Sequence, residues 1–253
     1  MSEPPIALVT GASRGIGRAI VELLLARGRR VVACARDAEA LAELEDAYPD
    51  HVTALPIDLT LPGAALWAVD EAVRRAGPVD ELVLAAGMVK YAPLGAVTDQ
   101  GLRAQLELNF IASFTMMQHA GVIMRTRGHG AIVAIASTLA FRAAPTTAAY
   151  AGSKGALVSA AAAAALELAP HVRVNVVAPG VVDTDMVRVA RRPLRPDEEH
   201  DEVVDAELEA LRALHPLQRL GKPDDVAKAV LYLLEAEWVT GSVLIVDGGL
   251  SLR

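Results

Sequence analysis

Apolar residues recur along this chain in two rhythms. Short runs rich in Val, Ile, Leu and Ala, apolar at nearly every position, stand at residues 6–10, 31–35, 52–57, 82–86, 131–137, 172–178 and 242–246. Most alternate with stretches of about 10 to 25 residues whose composition suits helices. A run that is apolar throughout fits a strand buried on both faces, and the intervening pieces fit right-handed helical crossovers between parallel strands. The alternation therefore predicts an α/β protein: a doubly wound, seven-stranded parallel sheet with helices on both faces. Helix ends can be read too. Asp37 caps a stretch running to Tyr48, Gly77-Pro78 stops 64–76, and Pro170 ends an Ala-rich helix that begins near Tyr150. No linker interrupts the series, so residues 1–253 are expected to form one domain.

One segment breaks the rhythm. Residues 185–216 hold a basic start (Arg188, Arg191, Arg192, Arg195), an acidic middle (Asp197 to Asp205) and an apolar stripe of Val204, Leu208 and Leu211. Apolar positions at i, i+4 and i+7 make a one-sided helix. Following the sixth strand, it fits a lid over a pocket at the carboxyl ends of the strands, where open α/β sheets bind ligands. A water-facing surface excursion is the alternative.

Composition narrows the class. Hydrophobic residues make up 53% and charged residues 22%, with mean hydropathy +0.34, which describes a globular chain. No apolar stretch reaches the roughly 18 residues of a membrane span, and the opening Met1-Ser-Glu-Pro-Pro5 lacks the basic flank and apolar stretch of a secretory signal. A cytoplasmic protein is expected. The single Cys34 excludes an intrachain disulfide, and the six His residues never fall at metal-ligand spacing, so no metal is expected. A net charge of −7 argues against nucleic acid, whose phosphates call for clustered Lys and Arg.

Two motifs carry chemistry. Directly after the first run comes Thr10-Gly-Ala-Ser-Arg-Gly-Ile-Gly17, then a helix-forming stretch. Glycines let a strand turn sharply and let backbone approach a pyrophosphate, while the helix amino end offers free N–H groups to the anion. The second motif is Tyr150-Ala-Gly-Ser-Lys154, with Ser137 and Asn109 upstream. Spacing of four puts the phenol and ammonium on one helical face. With four Tyr and four Lys in 253 residues, coincidence is a weak explanation. Together these groups can hold a carbonyl, supply it a proton and replace that proton. Singly, each has an ordinary structural role open to it: Ser137 as a turn former, Asn109 as a helix back-bonder, Tyr150 as a core-edge aromatic.

With these motifs, Asp58-Leu59, Leu84-Ala-Ala-Gly87, Asn175-Val-Val-Ala-Pro-Gly180 and Thr240-Gly-Ser-Val-Leu-Ile-Val-Asp-Gly-Gly249, the chain resembles the short-chain dehydrogenase/reductase family over essentially its whole length. The resemblance implies a Rossmann-type domain, a nicotinamide cofactor, and a homotetramer or, second, a dimer. It implies Tyr150 as general acid and base, Ser137 as donor to the substrate oxygen, Lys154 gripping the nicotinamide ribose, and Asn109 holding a water that links Lys154 to solvent. Cofactor contacts are expected at Gly11, Ser13, Arg14, Gly15, Ile16, Gly17, Arg36, Asp58, Leu59, Ala86, Gly87, Tyr150, Lys154, Pro179, Gly180, Val182 and Thr184. Asp58 is placed near the adenine amino group, Gly87 by the adenosine ribose and Thr184 on the nicotinamide carboxamide.

The end of the second run reads Cys34-Ala-Arg-Asp37. In the family's pattern Ala35 stands where an acid would hold the ribose 2′-hydroxyl, and Arg36 where a base would meet a 2′-phosphate. With Arg14 in the glycine loop, two guanidiniums favour NADP(H), with NAD(H) as the alternative. Asp37 complicates the choice: it reads as a helix cap, with a ribose-binding acid as the alternative. The phenol is expected to be acidified about three units, worth roughly 4 kcal/mol, by Lys154 and an oxidised nicotinamide. Pocket walls drawn from 88–94, 138–147 and 181–189 are mostly apolar, which favours an apolar ketone, aldehyde or secondary alcohol as the small-molecule partner. A 3-oxoacyl thioester is the runner-up, weakened by the acidic net charge and the short turn before Asn175. A cofactor-binding sensor without turnover is the alternative outside enzymes.

Overall fold

The computed structural model describes residues 4–142, 144–189 and 200–252, without the side chains of 200–205. Of the 185–216 segment, Arg191, Arg192, Arg195 and Asp197 lie outside the described residues, as does the side chain of Val204. The seven strands are β1 (Ile6–Thr10), β2 (Arg30–Ala35), β3 (Val52–Pro56), β4 (Glu81–Leu84), β5 (Gly130–Ile135), β6 (Val172–Pro179) and β7 (Val243–Val246). They form one sheet in the order β3-β2-β1-β4-β5-β6-β7, every neighbouring pair parallel. This is the Rossmann-like α/β fold that the apolar rhythm predicts.

Each strand feeds both faces alternately, as a two-residue period requires. Ile6 and Leu8 of β1, with Val32 and Cys34 of β2, face the core under α3 (Ala64–Ala76), α5 (Ser113–Arg127) and α6 (Ala148–Leu168). Ala7, Val9, Val31 and Ala33 face the opposite core under α1 (Gly15–Ala26), α2 (Ala38–Ala47) and α9 (Pro223–Glu235). Small residues set the spacing: Ala65, Ala68 and Ala72 of α3, and Ala161 and Ala165 of α6, let helix backbones lie close to the sheet. Asp37 does cap α2, accepting from the Ala40 N–H at 3.1 Å.

The chain direction reverses its strand order between β1 and β4, and such a switch point opens a crevice at the carboxyl ends. Between α4 (Asp99–Leu106) and α5 the helix widens into a π-turn over Glu107–Ala112, which carries Asn109. After β6 come the short α7 (Asp185–Val189) and α8 (His200–Leu214). Leu208 and Leu211 of α8 pack with Val181, Val187 and Leu220 in a small cluster separate from both main cores. The amphipathic stripe is thus real at these two positions. Among the described residues no helix is long and apolar enough to cross a membrane.

A buried ion pair closes the opposite end of the sheet. Arg29 donates from Nε to both Glu81 carboxylate oxygens, at 3.1 and 2.9 Å, and from Nη2 to Glu235 at 3.2 Å. It ties the start of β2 to β4 and the end of α9. Burial pushes the Glu81 carboxyl up despite the guanidinium beside it. Removing one member of such a pair leaves an uncompensated buried charge and costs about 3–5 kcal/mol. Arg29→Ala should therefore lower the urea-unfolding free energy by about that amount, whereas Arg18→Ala, at an exposed helical pair with Glu22, should change it by less than about 1 kcal/mol.

Candidate active site

The crevice begins where β1 and β4 part. Thr10 is buried, and its Oγ1 accepts from the N–H groups of Ala85 and Ala86, both at 3.0 Å. These N–H groups leave the sheet ladder as β4 ends, and the hydroxyl satisfies them where water cannot reach. Sequence reading missed this role of Thr10.

Beyond Gly87 the chain is held by side-chain amides. Asn109 accepts from the Met88 N–H at 2.8 Å and donates to the Met88 carbonyl at 2.9 Å and to Ser153 Oγ at 3.0 Å. Gln105 treats Lys90 the same way, accepting at 3.0 Å and donating at 3.3 Å. Each amide therefore replaces a strand neighbour for one residue of the loop. Ser153 in turn donates to the Tyr150 carbonyl at 2.7 Å, joining the clamp to α6. Gln105 also escaped the sequence reading, although it stands one helical turn before Asn109 and points the same way.

The glycine loop builds a cradle. Gly11 has φ +68°, in the left-handed region, and a Cβ on Gly17 would overlap the Gly11 carbonyl oxygen. Arg14 occupies the N-cap of α1 without any side-chain cap, so the first N–H groups of that helix are offered to the crevice. A cavity of about 580 Å³ runs from this loop past Arg36 and Asp58 to Ser137 and Thr184. All seventeen expected cofactor positions, from Gly11 to Thr184, line it. Arg14 and Arg36 are exposed at its rim and form no ion pair among the described residues. Asp58 accepts from the Thr60 N–H at 3.0 Å and its hydroxyl at 2.7 Å, bonds that hold its carboxyl below the usual range, with Arg36 adding to the effect. An uncapped helix end, a glycine-lined approach and free guanidiniums suit the diphosphate and phosphate groups of a nicotinamide dinucleotide.

A second cavity, of about 460 Å³, adjoins the first. Ser137, Tyr150, Gly180, Met186 and Val187 line both, so the two spaces meet at the serine and tyrosine hydroxyls. The Ser137 hydroxyl lies near enough to the Tyr150 phenol to favour its ionised form. Its Oγ also accepts from the Leu139 N–H at 3.2 Å. The second cavity has walls in the expected 88–94, 138–147 and 181–189 segments. A further wall is made of Glu207, Leu211 and Leu214 on α8, within the segment read as a lid, and of Leu250 near the carboxyl end, which was not expected.

Lys154 is buried one turn from Tyr150, and its Nζ donates to the Ile135 carbonyl at 2.8 Å. Measured from the place a Cβ would take on Gly87, Asn109 Oδ1 lies at 3.2 Å and Lys154 Nζ at 3.3 Å. Asn109, Lys154 and Gly87 therefore converge, while the Asn109 side chain itself is spent on Met88 and Ser153. Burial lowers the Lys154 amine to about 8. The acidification expected from the sequence counts Lys154 and an oxidised nicotinamide together; of the side chains alone, burial, then the neighbouring Tyr91, push Tyr150 up, the Ser137 hydroxyl only partly offsets them, and Lys154 does not act on the phenol. The reason is geometric, since the ammonium is directed at a backbone carbonyl.

The comparisons agree with this geometry. A family model described as Enoyl-(Acyl carrier protein) reductase matches residues 11–251. The chain is 36% identical to a 3-oxoacyl-[acyl-carrier-protein] reductase of Bos taurus, over 98% of each sequence. It superposes with TM-score 0.87 and 30% identity on ligand-free aldohexose dehydrogenase of Thermoplasma acidophilum, covering 99% of this chain and 95% of that one. It superposes with TM-score 0.88 and 29% identity on a gluconate 5-dehydrogenase from Burkholderia cenocepacia in complex with NADP and tartrate, covering 100% and 97%. The chain belongs to the short-chain dehydrogenase/reductase family. It is an NAD(P)-dependent oxidoreductase acting on CH–OH and C=O groups of small molecules.

The buried lysine gives a test of the site without any ligand. An unfolded lysine titrates near 10.4, so between about pH 8 and that value the unfolded chain holds a proton the native protein has released. Native stability then rises with pH across that window. In Lys154→Met this contribution should vanish: the stability difference between wild type and variant should be flat below pH 7 and swing towards wild type between about pH 8 and 10 in urea titrations.

Proposed function

We propose that the protein is an NADP(H)-dependent carbonyl reductase that interconverts a ketone or aldehyde and an alcohol, with Tyr150 as general acid and base. The observation that carries this reading is that Ser137 and Tyr150 both line the seam between the two cavities. A carbonyl oxygen lodged there accepts from both hydroxyls, which stabilises the negative charge that reduction develops on it. The reduced nicotinamide, when bound, supplies a hydride to the carbonyl carbon. Tyr150 gives its phenolic proton to the oxygen, and a phenol pushed up by burial retains that proton at neutral pH. Lys154 is buried between the Ile135 carbonyl and the crevice, positioned to turn its ammonium towards the ribose hydroxyls and the phenol. Asn109 fixes Met88 and, through Ser153, the backbone of Tyr150, so its own contribution is to hold the site's geometry. In this reading Asn109 also holds a water that links Lys154 to solvent.

Arg14 and Arg36 at the rim support NADP(H) over NAD(H), with Ala35 where an acid would hold a free 2′-hydroxyl and Asp37, which also lines the cavity, engaged as the cap of α2. Residues 1–253 act in this reading as one domain, and the 185–216 segment as its lid, since α8 lines the second cavity while resting only on a small cluster of its own. Exposed Ile111, Phe114, Val122 and Leu166 on the α5 and α6 side support association of copies into a tetramer through these helices. A 3-oxoacyl thioester is the second reading, favoured by the likeness to the Bos taurus reductase. Cytoplasmic location remains part of the proposal.

Tyr150→Phe should lower kcat about a thousandfold in a spectrophotometric NADPH assay over ketones, aldehydes and acetoacetyl thioester, in line with the loss of a general acid. Its affinity for NADPH should stay within about threefold by fluorescence titration, a range of under 1 kcal/mol. Near-wild-type turnover would refute the acid assignment. Arg36→Ala should raise the KM for NADPH about tenfold and change that for NADH little, because a charge-assisted bond to phosphate is lost only with the phosphorylated cofactor.

A further inference from the structure

The second cavity is mostly apolar, yet two charged side chains line it: Glu207 on α8 and Arg142, which follows the turn Thr138–Ala140. Arg142 is half-buried, and among the described residues its side chain makes neither a hydrogen bond nor an ion pair. A guanidinium gives up hydration when it faces an apolar chamber, and that loss is recovered when a planar anion takes its fork of donors. The backbone beneath it is fixed. The Arg142 N–H donates to the Thr138 carbonyl at 2.9 Å, and Thr147 Oγ1 donates to the Ala144 carbonyl at 2.8 Å. Thr146 is held at φ +67°, a conformation that strains a β-branched residue, while its carbonyl accepts from Ala92 at 2.9 Å. The strained turn bolts the Arg142 loop to the loop that carries Val89 and Tyr91 on the facing wall.

We propose that Arg142 is a carboxylate subsite, and that the substrate is an oxo acid whose carbonyl sits between Ser137 and Tyr150 while its carboxylate pairs with the Arg142 guanidinium. The charge count favours this group over phosphate. One guanidinium balances one negative charge, so a monoanion is met in full and a dianion is not. The apolar walls between the two ends accept the carbon chain that joins carbonyl and carboxylate. This inference deepens the reductase reading and rests on it for the place of the carbonyl.

The test compares unbranched oxo acids, from 3-oxobutanoate to 7-oxooctanoate, with their methyl esters in NADPH assays. For at least one chain length the wild type should show kcat/KM about tenfold or more above that of the ester, the gain of one charge-assisted pair. The acid-to-ester ratio should fall to near one in Arg142→Gln and recover in part in Arg142→Lys. Calorimetric titration of the NADP⁺-loaded protein with hexanoate and hexanamide gives a readout free of turnover: the acid should bind at least about tenfold tighter in wild type and no tighter in Arg142→Gln. A ratio near or below one in wild type, or one unchanged by Arg142→Gln, overturns the subsite. Equal binding of acid and amide with esters still reduced defeats the subsite alone. Hexanoate bound through Arg142 without reduction of any carbonyl defeats the reductase reading and leaves the subsite standing.

Discussion

A parallel sheet buried on both faces offers its backbone no water, so every strand that leaves it must find partners for the N–H and C=O groups it takes along. In this protein that demand is sharpest at the end of β4, where the strand order reverses and no neighbouring strand follows. Thr10 takes the N–H groups of Ala85 and Ala86, Asn109 takes both backbone groups of Met88, and Gln105 takes both of Lys90. The consequence is a crevice with rigid walls. The nucleotide-shaped cavity, the Ser137–Tyr150 pair and the buried Lys154 all stand on backbone that these side chains hold apart from the sheet.

The same clamp explains what the sequence disclosed and what it withheld. Apolar runs marked all seven strands, because burial on both faces leaves no polar positions to interrupt them. The glycine loop and the Tyr150/Lys154 pair were legible because few residue types meet their geometric demands: no Cβ where Gly17 meets Gly11, and one helical face for phenol and ammonium. Thr10 and Gln105 were not legible, since an isolated threonine or glutamine announces nothing until the unpaired backbone it serves is known. Leu84-Ala-Ala-Gly87 carries no side-chain amide of its own. The structure shows the neighbouring backbone served from β1 instead, by Thr10. The α8 wall of the second cavity was legible only as a segment: the one-sided stripe after β6 marks a lid, but which of its residues meet the chamber depends on where the chain returns, which no local pattern states.

Direction of charge was the least legible property. Proximity of Tyr150 and Lys154 in the sequence suggested mutual stabilisation, but proximity on one helix face does not fix where a flexible ammonium points. Directed at the Ile135 carbonyl, it leaves the phenol governed by burial and by Tyr91. Both groups are thereby held closer to their neutral forms than free side chains would be, which keeps uncompensated charge out of the crevice.

The placement of α8 separates two kinds of change. It forms a wall of the second cavity, and among the described residues its buried side chains pack with Leu220 and a few neighbours in a cluster separate from both cores that stabilise the sheet. Substitutions at Glu207, Leu211 or Leu214 therefore reshape what the chamber admits at little risk to folding, whereas the hydroxyl pair and the glycine loop are bound to the sheet itself. A lineage built on this plan can exchange its diet while its chemistry stays the same.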